Sequence, residues 1–186
     1  MGNKISEMRE VIMKINKKMP RDQLEQHIVE FIKSHDMCVL ATASKDNIPR
    51  ATPIWYNSEG TTLYMVGDEG TKLNNIRANP RVGIGIHDIR TSFQSVKGIQ
   101  ITGEAMLLTG DNPEYEEALR IYNFKERTKK VRKEMAELLR MEPPEEMGEV
   151  KPPKDITMIK IEAKKIALIE SALLARGYAA QQFWEA

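Results

Sequence analysis

The spacing of apolar residues changes along the chain, and each change marks an element. Ile5, Met8, Val11, Ile12 and Ile15 recur at three- and four-residue intervals, predicting a short N-terminal helix within residues 1–19. Leu24, Ile28, Phe31 and Ile32 repeat the pattern after Pro20-Arg21-Asp22, a helix start. Residues 37–43 are a compact apolar run ending in a polar turn, the signature of a strand. Residues 48–56 and 61–66 read as two extended runs joined in a hairpin by Asn57-Ser58-Glu59-Gly60. A glycine-flanked loop, residues 67–70, delivers Thr71-Lys72 to a short helix that must stop at Asn79-Pro80. Alternation returns over 81–87, with Gly83 and Gly85 leaving room for close approach, and again over 98–108, where Gly103 suggests a bulge.

The second half is helical before it is extended again. Asp111-Asn112-Pro113 opens a helix whose apolar face is Tyr115, Ala118, Leu119 and Tyr122. Val131, Met135, Leu138 and Leu139 continue that face through a charged stretch, with a break allowed within it. Residues 141–154 are a proline- and acid-rich connector, so 111–154 form a helical insertion. Two closing strands, 155–161 and 165–170, and a tail, 171–186, complete the chain. Six or seven strands with few crossover helices predict one mainly β domain with helices (α+β) over residues 1–186, an antiparallel barrel.

Charge and composition narrow the partners. Lys and Arg exceed Asp and Glu by one, so no basic field points to nucleic acid. The single cysteine, Cys38, excludes an internal disulfide and falls in an apolar run, where a buried, inert thiol is expected. The N-terminal residues mix charge with apolar side chains and read as neither signal peptide nor membrane span. Met1-Gly2 with Ser6 begins a myristoylation-like pattern that nothing else supports. A cytoplasmic protein is the expectation. His27 and His35 read as surface residues, and no metal centre is expected from scattered histidines and one thiol.

The candidate chemistry lies at residues 67–72. A helix N-terminus with free N–H groups, a hydroxyl and an ammonium attracts anions, and Arg50 is close enough in the chain's layout to join it. Arg50, Thr71 and Lys72 are therefore a predicted phosphate site. A nucleoside-triphosphate loop is excluded: two residues rather than four separate the glycines, and Leu73 follows the lysine. No G-x-S-x-G elbow supports a hydrolase. A flavin mononucleotide (FMN) site fits better, with strand backbone at Ala51, Thr52, Met65 and Val66 along the ring.

The order of Arg50-Ala51-Thr52-Pro53, residues 63–66, Thr71-Lys72, Asn79-Pro80-Arg81-Val82 and residues 99–105 resembles the pyridoxamine 5′-phosphate oxidase-like split-barrel family. The resemblance implies a Greek-key split β-barrel and a homodimer binding FMN between subunits. It implies flavin-dependent redox chemistry on a small molecule, with no catalytic acid or base assigned. It makes Arg50 and Lys72 phosphate ligands, with Thr71 a further donor, and sets Met65 and Val66 beside the flavin. Gly98 stands where the family's oxidase has glutamine, and Gln100 is the expected substitute. The oxidase's C-terminal substrate motif is missing, and Trp184 is a candidate lid from either subunit. Two alternatives stay open: a non-catalytic flavin or haem carrier, with His87 as axial ligand, and a deazaflavin-dependent reductase.

Overall fold

A computed structural model describes residue 7 and residues 10–88, 92, 95–141 and 156–186. Helix α1 (Arg21–Lys33) buries Leu24, Ile28, Phe31 and Ile32, the four positions its spacing selects. The strands are β1 (Met37–Ala43), β2 (Pro49–Trp55), β3 (Asn57–Glu59), β4 (Thr62–Gly67), β5 (Arg81–His87), β6 (Lys97–Leu108), β7 (Thr157–Glu170) and β8 (Gln181–Glu185). Helix α2 (Thr71–Ala78) follows β4; α3 (Tyr115–Tyr122) and α4 (Phe124–Leu139) lie between β6 and β7. A 3₁₀ turn, Ser171–Arg176, leads into β8.

The strands form one antiparallel sheet in the order β2-β1-β5-β6-β7-β4-β3, with β8 on the second half of β7. The sheet curls so that β2, at one end, approaches β4, next to the other end, without pairing with it. Inward residues of every strand but β3 meet α1 and α2 in one core, including Leu40, Leu63, Met65, Ile84, Ile101, Ile161 and Ile166. The predicted split β-barrel is the observed fold.

Three local readings change. Residues 48–56 and 61–66 do not form a hairpin with each other: β2 pairs with β1, and the chain bends at Tyr56 so that β3 pairs with β4 around Gly60-Thr61. Tyr56 fixes that bend, being fully buried with its hydroxyl donating to the Ile32 carbonyl at 2.7 Å. The two closing strands are one, β7, because the charged Lys164-Lys165 pair spans a bulge instead of a turn. Its register against β6 shifts between Thr102 and Gly103, where an added Cβ would sit 2.6 Å from the Glu162 carbonyl oxygen. The predicted bulge glycine is there because the backbones touch. The tail, third, is a paired strand and not a free end.

The helical insertion divides at Asn123, which adopts φ 59°, ahead of the charged stretch and not within it. Tyr115, Ala118, Leu119 and Tyr122 of α3 are buried with Tyr64, Leu108 and Met158 in a second cluster. The apolar face does not continue inward along α4, where Ala136 is the only buried residue. The predicted N-terminal helix is present at residues 10–14, with Val11 and Ile12 exposed. The connector, apart from Met141, and most of the 89–96 connection lie outside the described residues.

The outer sheet face carries few charges along its central rows. Pro53, Val39, Gly85, Gln100, Ala167 and Phe183 form one register row across six strands. The flanking rows add Trp55 and Met37 on one side and Ala51, Ala41 and Gly83 on the other. Met37, Val39, Trp55 and Phe183 are all exposed on this face.

Candidate functional site

The seam between β2 and β4 is where the candidate residues gather. β4 ends at Gly67, and the chain turns through Asp68-Glu69-Gly70 into α2. Two glycines make the turn possible. A Cβ on Gly67 would lie 2.7 Å from Leu73 Cδ2, so the first turn of α2 packs where a side chain would be. Gly70 has φ 147°, a conformation open mainly to glycine. No side chain caps α2, and its first turn holds no acidic residue. The N–H groups of that turn are therefore available to an anion.

Two cations face this end. Thr42 pairs with Arg50 across β1 and β2, so both side chains leave the sheet on the same side, toward α2. Lys72, half-buried in the first turn of α2, lies near enough to feel Arg50. Burial lowers the Lys72 pKa, the Arg50 charge lowers it further, and Asp68 opposes both. Among the described residues neither Lys72 nor Arg50 has a salt-bridge partner. Glu69, the nearest acid in sequence, is engaged elsewhere: its carboxylate accepts from Arg77 at 2.6 and 3.1 Å. Asp68 offsets part of the repulsion between the two cations, and a bound anion would offset more of it.

A pair that sequence reasoning missed holds the site in place. Asn75 on α2 donates from Nδ2 to Thr42 Oγ1 at 3.0 Å, and both residues are buried. The bond ties α2 to the strand that pairs with Arg50. Its sequence signal was an asparagine on the inward side of a short helix between Leu73 and Ile76. Its partner is unreadable without the fold, being 33 residues away.

The other predicted residues separate. Thr71 is exposed at the first position of α2, beside Lys72, and Thr52 faces inward on β2 two residues from Arg50. Ala51 points to the outer face. Met65 is fully buried in the barrel core, while Val66 packs against the α3 cluster, so only their main chain borders the seam. Gln100 is exposed on the outer face of β6, three strands from β2 and on the opposite side of the sheet from Arg50. It cannot reach the cations of its own protomer. Trp184 is no lid over its own seam. It sits at 7% exposure in the core, with Nε1 donating to Glu25 Oε2 at 3.0 Å. Its β7 partner, Ile166, is nine residues from Thr157, the partner of Gly67, or about 30 Å along the strand.

The histidines have structural partners. His27 Nε2 meets Glu170 at 2.5 Å, and His35 bonds the Phe31 carbonyl and Asp88; both are half-buried rather than at the surface. His87 is exposed, with Nδ1 against the Asp88 carbonyl at 3.0 Å. Cys38 is buried, which pushes its thiol pKa up to about 12, so it is inert as expected. No cluster of metal-ligating side chains occurs among the described residues. No helix there is long and apolar enough to cross a membrane.

A curled antiparallel sheet of this strand order is that of a split barrel. The chain belongs to the pyridoxamine 5′-phosphate oxidase family, whose pattern it matches over residues 24–168. A UPF0306 protein of Pasteurella multocida is 30% identical over 100 residues, 52% of this chain and 66% of that protein, just under two thirds of its length. Among solved structures, an FAD-binding protein of Mesorhizobium loti aligns at a TM-score of 0.53 and 16% identity, over 76% of this chain and 88% of its own. The haem storage protein HutZ of Vibrio cholerae aligns at 0.53 and 14%, over 76% and 90%. Flavin-binding and haem-binding proteins thus share this fold.

Proposed function

We propose that this chain is an FMN-binding flavoprotein, a homodimer with its cofactor between the subunits, acting as an oxidoreductase on a small molecule. The observation that carries the reading is the unpaired Arg50–Lys72 pair at an uncapped helix end. A phosphate monoester matches this donor set: two cations, free N–H groups and the Thr71 hydroxyl. Lys72 and Arg50 bind and neutralise it, and Asn75 keeps α2 in register with β1. Bound flavin supplies hydride and electron transfer; the protein positions it and shields it from water. The small-residue outer face offers a surface for the second subunit, and Gln100 and Trp184 belong to the site only if that subunit presents them. Fluorescence titration with FMN tests the reading. Saturable binding that weakens about 10- to 100-fold in Lys72→Ala, the value of a charge-assisted hydrogen bond, supports it. Affinity equal to wild type removes Lys72 from the site.

One observation favours a second reading, haem binding. His87 keeps Nε2 free while the Asp88 carbonyl orients its ring, the arrangement that suits an axial ligand. It borders a cavity of about 380 Å³ with Met37, Val39 and Gly85, where nothing stands within 4 Å of an added Gly85 Cβ. A Soret band on adding haem that is lost in His87→Ala would select this reading.

A further inference from the structure

We infer that α4 is an arm that closes on a second copy of this chain. The inference rests on the homodimer proposed above and extends it to a surface outside the barrel.

The arm is firmly rooted. Arg127, one turn into α4, donates to the Tyr56 carbonyl at 2.6 Å and also to Asn57 Oδ1. Asn57 Nδ2 in turn donates to the carbonyls of Ile121 and Tyr122 at the end of α3. The helix is thus bolted to the bend between β2 and β3. Beyond that root Ala136, at a different helical phase, is the only buried residue of α4. Val131 lines a small recess with Trp55 and Arg127, so this side of α4 turns toward the rim of the outer sheet face. Met135, Leu138 and Leu139 follow at the same helical phase, yet are 53%, 82% and 59% exposed. An amphipathic helix with its apolar stripe in water needs a cover.

Area identifies the cover. By register the flanking rows continue through Thr102, Lys165 and Glu185 and through Gly98, Ile169 and Gln181, and the three rows occupy on the order of 500–600 Å², from strand spacing and rise. A stable interface takes about 800 Å² from each partner. The outer face of a barrel is convex, so two such faces meet over less than their full extent. The α4 stripe runs about 12 Å past Val131 and adds on the order of 100–200 Å². It is continuous with the sheet face through Trp55. A second copy seated on the rows therefore meets the arm at their edge. Engagement of the arm also steadies β2, an edge strand that carries Arg50.

The test is sedimentation velocity of the full chain across a concentration series. Wild type is compared with Met135→Glu/Leu138→Glu, with Val39→Glu on the sheet face, and with Lys133→Glu on the polar side of α4. The altered residues are exposed, so the folded protomer tolerates them, and circular dichroism verifies that helix content is kept. The inference expects a wild-type dimer, a dimer dissociation constant raised at least 10-fold by the α4 double variant and by Val39→Glu, and no change with Lys133→Glu. A dimer insensitive to the α4 double variant overturns the arm and leaves the dimer standing; cover by residues 142–155 of the same chain would give this result. A monomeric wild type overturns both.

Discussion

Lys72 holds a charge at a cost. Burial and the Arg50 charge both lower its pKa, so the unfolded chain binds the proton more tightly than the folded one. Stability of the cofactor-free protein therefore rises with pH from the lowered value up to the ordinary one near 10.4. The proposed phosphate binding should run the other way and fall as the ammonium is lost. Lys72→Met should raise the thermal midpoint of the cofactor-free protein by a few degrees at neutral pH. The same variant should weaken FMN binding about 10-fold or more. Calorimetry and titration on one preparation check the pair. A midpoint that falls would show that Lys72 contributes to the fold instead. Asn75→Ala should cost about 1–3 kcal/mol, because Thr42 keeps a buried hydroxyl without its partner. Asn75→Leu with Thr42→Val should recover most of that stability in urea unfolding, but not the FMN affinity. Lys72 was legible in the sequence because Gly70 marks the start of its helix and Pro80 the stop. The Asn75–Thr42 bond was not, since a buried polar pair leaves no periodic trace.

At the scale of elements, two glycines set different constraints. An alanine Cβ at Gly67 meets the ends of Leu73 and Ile159, side chains that can move. One at Gly103 meets the Glu162 carbonyl oxygen, which cannot move without breaking the β6–β7 ladder. Gly67→Ala should cost about 1–3 kcal/mol and be partly rescued by Leu73→Val. Gly103→Ala should cost more, with no rescue from shortening Ile161. Chemical denaturation of the four variants decides it. The elements themselves were readable where one face is buried and the other wet, as in α1, α3 and β6. Pairing was less so. The polar residues 57–60 look like a turn, yet Asn57 is a strand residue because its amide is needed at the end of α3. Val131, Met135, Leu138 and Leu139 show a helix's period without saying what buries it.

The whole molecule is a sheet curled until β2 nearly meets β4, with β2 free along one edge. If a second copy steadies that edge, FMN affinity depends on protein concentration. Titration at two protein concentrations on either side of the dimer midpoint should give weaker apparent binding at the lower one. Equal affinities would mean that each protomer holds the cofactor alone. The sheet also fixes when the site becomes usable. β4, which leads into the glycine-flanked loop before α2, is held by β7, nearly a hundred residues later in the chain. A ribosome that has released the loop, both cations and α2 has still not released the strand that anchors them. During synthesis the seam thus matures late, and the proposed cofactor would be met by a finished barrel, not by an emerging one.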